Sequence, residues 1–146
     1  MELDRNGLEV LSRAECLDLL GRVSIGRVGC STGALPTVLP VNFVVDGESV
    51  VIRTAPGSKL DAATRHAVVA FEADDIDPVY HSGWSVLATG MARAITDPDE
   101  LERVRRLPLA PWGASSSDAA YVRIGAELLS GRRLGVRAAP LRPGAV

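Results

Sequence analysis

The sequence predicts a mainly β domain with short helices at its corners, a six-stranded antiparallel Greek-key barrel or sandwich. Three observations carry that prediction. Apolar runs of strand length recur along the chain, and those at 37–45 and 49–54 flank Asp46-Gly47, a dipeptide that favours the tight turn of a β-hairpin. The stretch 83–95 alternates as one long strand, with Trp84, Val86, Ala88, Gly90, Ala92 and Ala94 on one face and Ser85, Leu87, Thr89, Met91, Arg93 and Ile95 on the other. The long crossover helices of a parallel nucleotide-binding sheet are missing.

Taken in order, Ser12-Arg13-Ala14-Glu15 is a capping box ahead of Cys16, Leu17, Leu19 and Leu20, and Gly21 supplies a stop, so a short helix opens the domain. β-Branched residues and glycines at 23–30 give a first strand, and Ser31-Thr32-Gly33-Ala34 a loop. After the hairpin, 58–66 is polar and helix-compatible, and 67–73 returns to a strand. Both faces of 83–95 are substantially apolar, as expected inside a barrel or at a subunit contact. Asp97 as cap, Pro98 at the first helical position and Glu100 three residues after the cap start a helix through Arg106. Residues 107–117 form a Pro-, Gly- and Ser-containing loop around Trp112, a final strand runs over 120–129, and Gly131-Arg132-Arg133 bends it. The reading gives one domain over 1–134 and a loose tail over 135–146.

Composition narrows the function. At 146 residues, with 47% hydrophobic and 23% charged residues, the chain is long enough to bury a core without metal or disulfide staples. A net charge of −2 with scattered arginines gives no basic field for nucleic acid. No apolar run approaches the roughly 20 residues of a membrane span, and no signal region follows Met1, so the expected address is cytoplasmic. Cys16 and Cys30 lack CxxC spacing and read as buried small apolar side chains. His66 and His81 are too few to argue a metal, and GxSxG, Walker and GxGxxG motifs are all missing.

One segment carries chemistry. Lys59 is the only lysine among 16 Lys and Arg residues, and it closes Arg53-Thr54-Ala55-Pro56-Gly57-Ser58-Lys59 at the end of an apolar strand. Pro56 and Gly57 break the chain, the following residues can open a helix, Arg53 offers a planar fork and Lys59 a point charge, so the segment reads as a phosphate cradle. The competing reading is a strand, a turn and a solvated lysine. Asn42, an amide inside an apolar run, needs hydrogen-bonding partners. For Trp84, core packing and a site wall compete.

These pieces together resemble the pyridoxamine 5′-phosphate oxidase-like flavoproteins, the FMN-binding split barrels, in their small actinobacterial-style form. The resemblance rests on the opening helix and Gly21-Arg22-Val23, on Leu39-Pro40-Val41-Asn42-Phe43-Val44-Val45-Asp46-Gly47, on the segment from Ile52 to Lys59, on Gly83-Trp84-Ser85-Val86 leading to Gly90, and on Tyr121-Val122-Arg123-Ile124. It implies a split β-barrel that works as a homodimer, with two FMN sites at the interface, each drawing on both subunits. Carried over by position, Val41 and Asn42 lie against the flavin ring. Arg53, Thr54, Gly57, Ser58 and Lys59 hold the phosphate and ribityl chain, and Trp84 and Ser85 approach from the other side of the cleft.

The cofactor carries the redox chemistry in such a site, so no acid–base residue is named. The extra basic residues that vitamin B6 oxidases use for their substrate phosphate are not found, which disfavours that reaction. The reading is an FMN-dependent oxidoreductase acting on a small electron-poor or unsaturated compound. Its alternative is a protein that binds or sequesters flavin, the deazaflavin F420 or haem with little turnover, haem being supported only by His81. A cofactor-free dimeric scaffold is the third possibility.

Overall fold

The computed structural model describes residues 1–109 and 119–135. The loop around Trp112 and residues 136–146 lie outside the described residues.

The elements run β1 (Glu9–Val10), α1 (Arg13–Leu20), β2 (Ile25–Thr32), β3 (Leu35–Asp46), β4 (Ser49–Thr54), α2 (Lys59–Ala63), β5 (Ala67–Asp77), β6 (Ser82–Ala94), α3 (Pro98–Arg105), β7 (Ala120–Gly125) and β8 (Leu128–Leu134). Every strand pairing is antiparallel. The order β6-β5-β2-β3-β4-β7 closes on itself through β6–β7, giving a six-stranded barrel, while β8 extends the first half of β6 and β1 caps β8. Within it, β5-β2-β3-β4 is a Greek key: three hairpin-linked strands whose successor returns beside the first. This is the split barrel that the sequence predicts.

Local signals set the helix ends. Ser12 Oγ accepts from Glu15 N–H at 3.2 Å and Glu15 Oε1 accepts from Ser12 N–H at 3.1 Å, the reciprocal capping box. Asp97 Oδ2 accepts from Glu100 N–H at 2.9 Å, with Pro98 at the first helical position. Gly47 takes φ 62° in the β3–β4 turn, a left-handed conformation that its missing Cβ makes inexpensive.

The barrel interior is filled from every wall. Phe71, Val28, Ile52, Val86, Val122 and Ile124 are fully buried, and Phe43 meets Phe71 edge-on at 4.7 Å between ring centres. A second apolar cluster, Val51, Ile95, Val104, Leu109 and Tyr121, lies outside the barrel where α3 covers β4 and β7. Cys16 and Cys30 are both buried free thiols, and burial pushes both upward from the ordinary thiol range.

The final strand differs from its prediction. The expected single strand over 120–129 is two, and the chain turns at Ala126-Glu127. The cause is non-local: this corner crosses β6 at Gly90, where a Cβ would collide with the Gly125 carbonyl and the Glu127 carboxylate, and Arg13 Nη2 donates to Ala126 O at 2.8 Å. Gly131 does not bend the chain. It sits inside β8 opposite Val86, and a Cβ there would lie 2.6 Å from Cys16 Sγ, so the glycine admits α1 against the strand. The remaining corrections are of length: β2 starts two residues later than read, β5 continues to Asp77, and the two-residue β1 was not anticipated.

Candidate functional site

Strand alternation divides the proposed cradle. The pairing of Phe43 with Ile52, both buried in the core, sets Asn42 and Arg53 side by side on the outward face of β3 and β4. Val41 and Thr54 point inward and are 4% exposed each, so Val41 offers only its backbone to that face. The Arg53 guanidinium carbon lies 5.7 Å from the centre of the Tyr121 ring.

Beyond Thr54 the chain turns through Ala55-Pro56-Gly57 into α2. Gly57 has φ 78°, which explains the glycine. A residue that the sequence reading did not single out shapes this turn. Asp61 is 1% exposed; its Oδ2 accepts from the Gly57 N–H at 2.9 Å and from Arg65 Nη2 at 3.2 Å, and its Oδ1 accepts from the Thr54 hydroxyl at 3.2 Å. Its own N–H donates to Ser58 Oγ at 3.1 Å, the cap of α2. The Gly57 amide above all, then Arg65 and Thr54, hold its carboxyl below the usual carboxylate range against the opposing effect of burial. The only sequence signal was Ser58-Lys59-Leu60-Asp61, which repeats the cap-plus-acid spacing of Ser12 to Glu15.

The consequence for anion binding is specific. The Gly57 amide, the Thr54 hydroxyl and the Ser58 oxygen all have partners within the turn. α2 is only five residues long, so its dipole contributes little. The cations that this segment carries are the two predicted for it: Lys59, which is exposed, and Arg53, which is half-buried on the outward face.

Trp84 and Ser85 lie elsewhere in the protomer. The Trp84 side chain is 7% exposed and belongs to the barrel core, while Ser85 faces outward on β6. Between Ser85 and Asn42 stand β5 and β2, three strand spacings or roughly 14 Å. One chain thus places Asn42, Arg53 and Lys59 at one edge of its outward face and Ser85 at the other. Between them lies an apolar surface on which Ile25, Val38, Val68, Leu87 and Met91 are 37–68% exposed. A cavity of about 730 Å³ lies under the N-terminal hairpin, lined by Leu3, Leu8, Trp84, Arg133 and Leu134 among others, and it includes none of the cradle residues.

His81 sits in the β5–β6 turn with φ 51°. Among the described residues no group of three or more His, Cys, Asp and Glu is placed to hold a metal ion, and no helix is long and apolar enough to cross a membrane.

Residues 12–133 match the pyridoxamine 5′-phosphate oxidase family. The chain is 40% identical over 129 residues to an uncharacterized Mycobacterium tuberculosis protein, covering 85% of this chain and 84% of that one. Among solved structures it is similar to the FAD binding protein from Mycobacterium smegmatis, at 37% identity and TM-score 0.76 over 87% of this chain and 98% of that one. It is also similar to a conserved protein of unknown function from Corynebacterium diphtheriae, at 30% identity and TM-score 0.73 over 87% and 98%. With the closed barrel and these relatives in agreement, the chain belongs to the pyridoxamine 5′-phosphate oxidase family and carries its split-barrel fold.

Proposed function

We propose that this protein binds a phosphorylated flavin, FMN in the first instance, and uses it as an oxidoreductase on a small electron-poor or unsaturated organic compound in the cytoplasm. The observation that carries the reading is the turn at 53–61: a buried carboxylate fixes its backbone from within, and the segment carries Arg53 at one end and the exposed Lys59 near the other. Arg53 suits a phosphate by its planar fork and Lys59 by its compact charge. When bound, the flavin supplies the electron-transfer chemistry, and the protein contributes binding, orientation and local charge. Asn42, beside Arg53, is suited to the polar edge of the ring.

The working unit is a homodimer. A flavin on Asn42 and Arg53 of one protomer lies too far from that protomer's own Ser85, so the second wall is supplied by another copy, and the exposed apolar face between them is the surface that copy would cover.

FAD is the second reading, favoured by the Mycobacterium smegmatis relative that is an FAD binding protein. It keeps Arg53 and Lys59 as phosphate ligands and adds a nucleotide beyond them. F420, haem and a sequestering role without turnover are outcomes of the same experiment.

The test is the visible spectrum of protein purified without added cofactor, followed by titration with riboflavin, FMN, FAD, F420 and haem. Lys59→Ala is expected to weaken FMN binding by about tenfold, the effect of one lost charged hydrogen bond, while leaving riboflavin unchanged. Faster reoxidation of the reduced flavin by an organic acceptor than by oxygen alone would support turnover. Failure of every flavin to bind would overturn the reading.

A further inference from the structure

The apolar outward face is not uniformly apolar. At its centre Arg27 of β2 reaches two carboxylates of β5: its Nη1 donates to Glu72 Oε1 and to Asp74 Oδ2, each at 3.3 Å. The register makes this placement firm, since Arg27 pairs with Glu72, Glu72 with Leu87, and Asp74 with Ser85. The cluster sits between Ile25 on one side and Leu87 on the other, both exposed.

Its charge does not balance. One guanidinium serves two carboxylates, and no neighbouring strand supplies a second cation. β6 brings only Ser85 and Leu87 to the cluster, and β3 brings Pro40 opposite Arg27 and Asn42 opposite Ile25. β8 places Arg132 opposite Ser85, but that guanidinium is turned to Asp4 at 2.9 Å. Glu72 itself is held up to about 7, first by burial and then by the Asp74 carboxylate beside it, with Arg27 opposing both.

We propose that this cluster gates self-association: when a second copy covers the outward face, each Glu72–Asp74 pair takes up one proton from solvent and keeps the other charge on Arg27. The inference rests on the homodimer reading above. The occupant is a second copy because the site residues at the two edges of the face are incomplete in one chain, and because exposed apolar residues lie between those edges. Symmetry does not repair the imbalance. The two clusters together hold two arginines against four carboxylates, and Arg53 and Lys59 of each copy are engaged at the flavin phosphate in the reading above, so covering the clusters strips water from surplus negative charge unless protons neutralise it.

Mass action then gives the direction. Association that takes up a proton weakens as pH rises, by about tenfold per pH unit for each proton while that proton must be drawn from solution. The protein is therefore expected to self-associate more tightly at about pH 6 than at about pH 8.

Sedimentation velocity across that range, on wild type, Glu72→Gln and Leu87→Asp, tests both layers. The expected result is a wild-type dimer constant that falls by about tenfold or more from the acidic to the alkaline end, and a Glu72→Gln dimer constant that stays flat at the acidic wild-type value. Leu87→Asp is expected to be monomeric throughout, since it sets a third carboxylate next to Glu72. A wild-type dimer with no pH dependence, or one whose pH dependence survives in Glu72→Gln, would overturn the proton gate and leave the dimer reading standing. A wild type that is monomeric at every pH overturns both.

Discussion

Two charge clusters in this barrel are mirror images in stoichiometry. At the β3–β4 turn Asp46 accepts from two arginines: Arg103 Nη2 and Arg123 Nη1 donate to its Oδ2 at 2.7 and 2.8 Å, and Arg103 Nη1 to its Oδ1 at 2.9 Å. On the outward face two carboxylates share Arg27. The first arrangement drives the Asp46 carboxyl down to about 2, led by the Arg103 hydrogen bond, and the second drives Glu72 up to about 7. The Asp46 carboxylate finds its cations within the protomer: it ties the turn to α3 and β7, and Ser49 Oγ accepts a further bond from Arg123 at 2.7 Å. The Glu72 cluster is not completed, and it lies on the surface that also leaves its apolar residues uncovered. The contrast separates a carboxylate held by two cations of its own chain from a carboxylate pair left with surplus charge on an exposed face.

The substitution expected to disturb the outward cluster most is not in it. Gly26 stands between Ile25 and Arg27, and a Cβ there would lie 2.5 Å from Phe71 Cζ and 2.8 Å from the Glu72 carbonyl oxygen. Phe71 is fully buried and cannot retreat, so β2 must lift from β5 and carry Arg27 with it. Gly26→Ala is expected to cost about 3 kcal/mol in urea unfolding, at the upper end for overpacking. An alanine variant as stable as wild type would show that the two strands are not in fixed contact.

Asp46→Asn breaks the other cluster while preserving the turn, because Asn-Gly suits the same tight hairpin as Asp-Gly. It removes the charge that two arginines face, one of them, Arg123, largely buried with its Nη2 unpartnered already. A loss of about 2 kcal/mol near neutrality is expected from charged hydrogen bonds replaced by weaker ones. The folded-state value lies below the ordinary 3.8, so the Asp46 contribution is fully present above 3.8 and disappears as pH falls through about 2. The difference between the two proteins should therefore shrink in acid, and a constant difference down to the acid limit would reassign the effect to packing.

The sequence made some of this contrast readable. Asp46-Gly47 announced the hairpin, and Ser12 with Glu15 and Asp97 with Glu100 announced helix starts, because caps and tight turns are decided by residues a few positions apart. Arg53 and Lys59 were readable as the cations of the β4–α2 turn for the same reason. What escaped depends on contacts between distant segments. The corner at Ala126-Glu127 exists because Gly90 of another strand admits it, and Gly131 looked like a bend because nothing nearby reveals the helix packed on it. Asp61 looked like an ordinary acid in a first helical turn, whereas its role follows from a carboxylate folded back beneath Gly57. Likewise the second role of Asp46 required α3 and β7 to arrive beside the turn, and the Arg27 cluster required β2 to pair with β5.

The smallest expected effect is also the most discriminating, because its sign is unusual. Glu72 has an ordinary value of 4.5 and a folded value of about 7, so between these limits the folded chain binds more protons than the unfolded one. Stability attributable to this residue is complete below 4.5, declines as pH rises through the window, and is lost above about 7. Glu72→Gln resembles the protonated carboxyl, so it should match wild type in mild acid and exceed it in alkali. The Glu72 side chain is 36% exposed, and solvent screening at that exposure holds the gain to about 1 kcal/mol or less. Thermal unfolding at one low protein concentration, run at the two ends of the window, reads the effect without contribution from assembly. A Gln variant less stable than wild type in alkali would mean that Arg27 outweighs Asp74 and burial together, and the outward cluster would then be closed in the same sense as the one around Asp46.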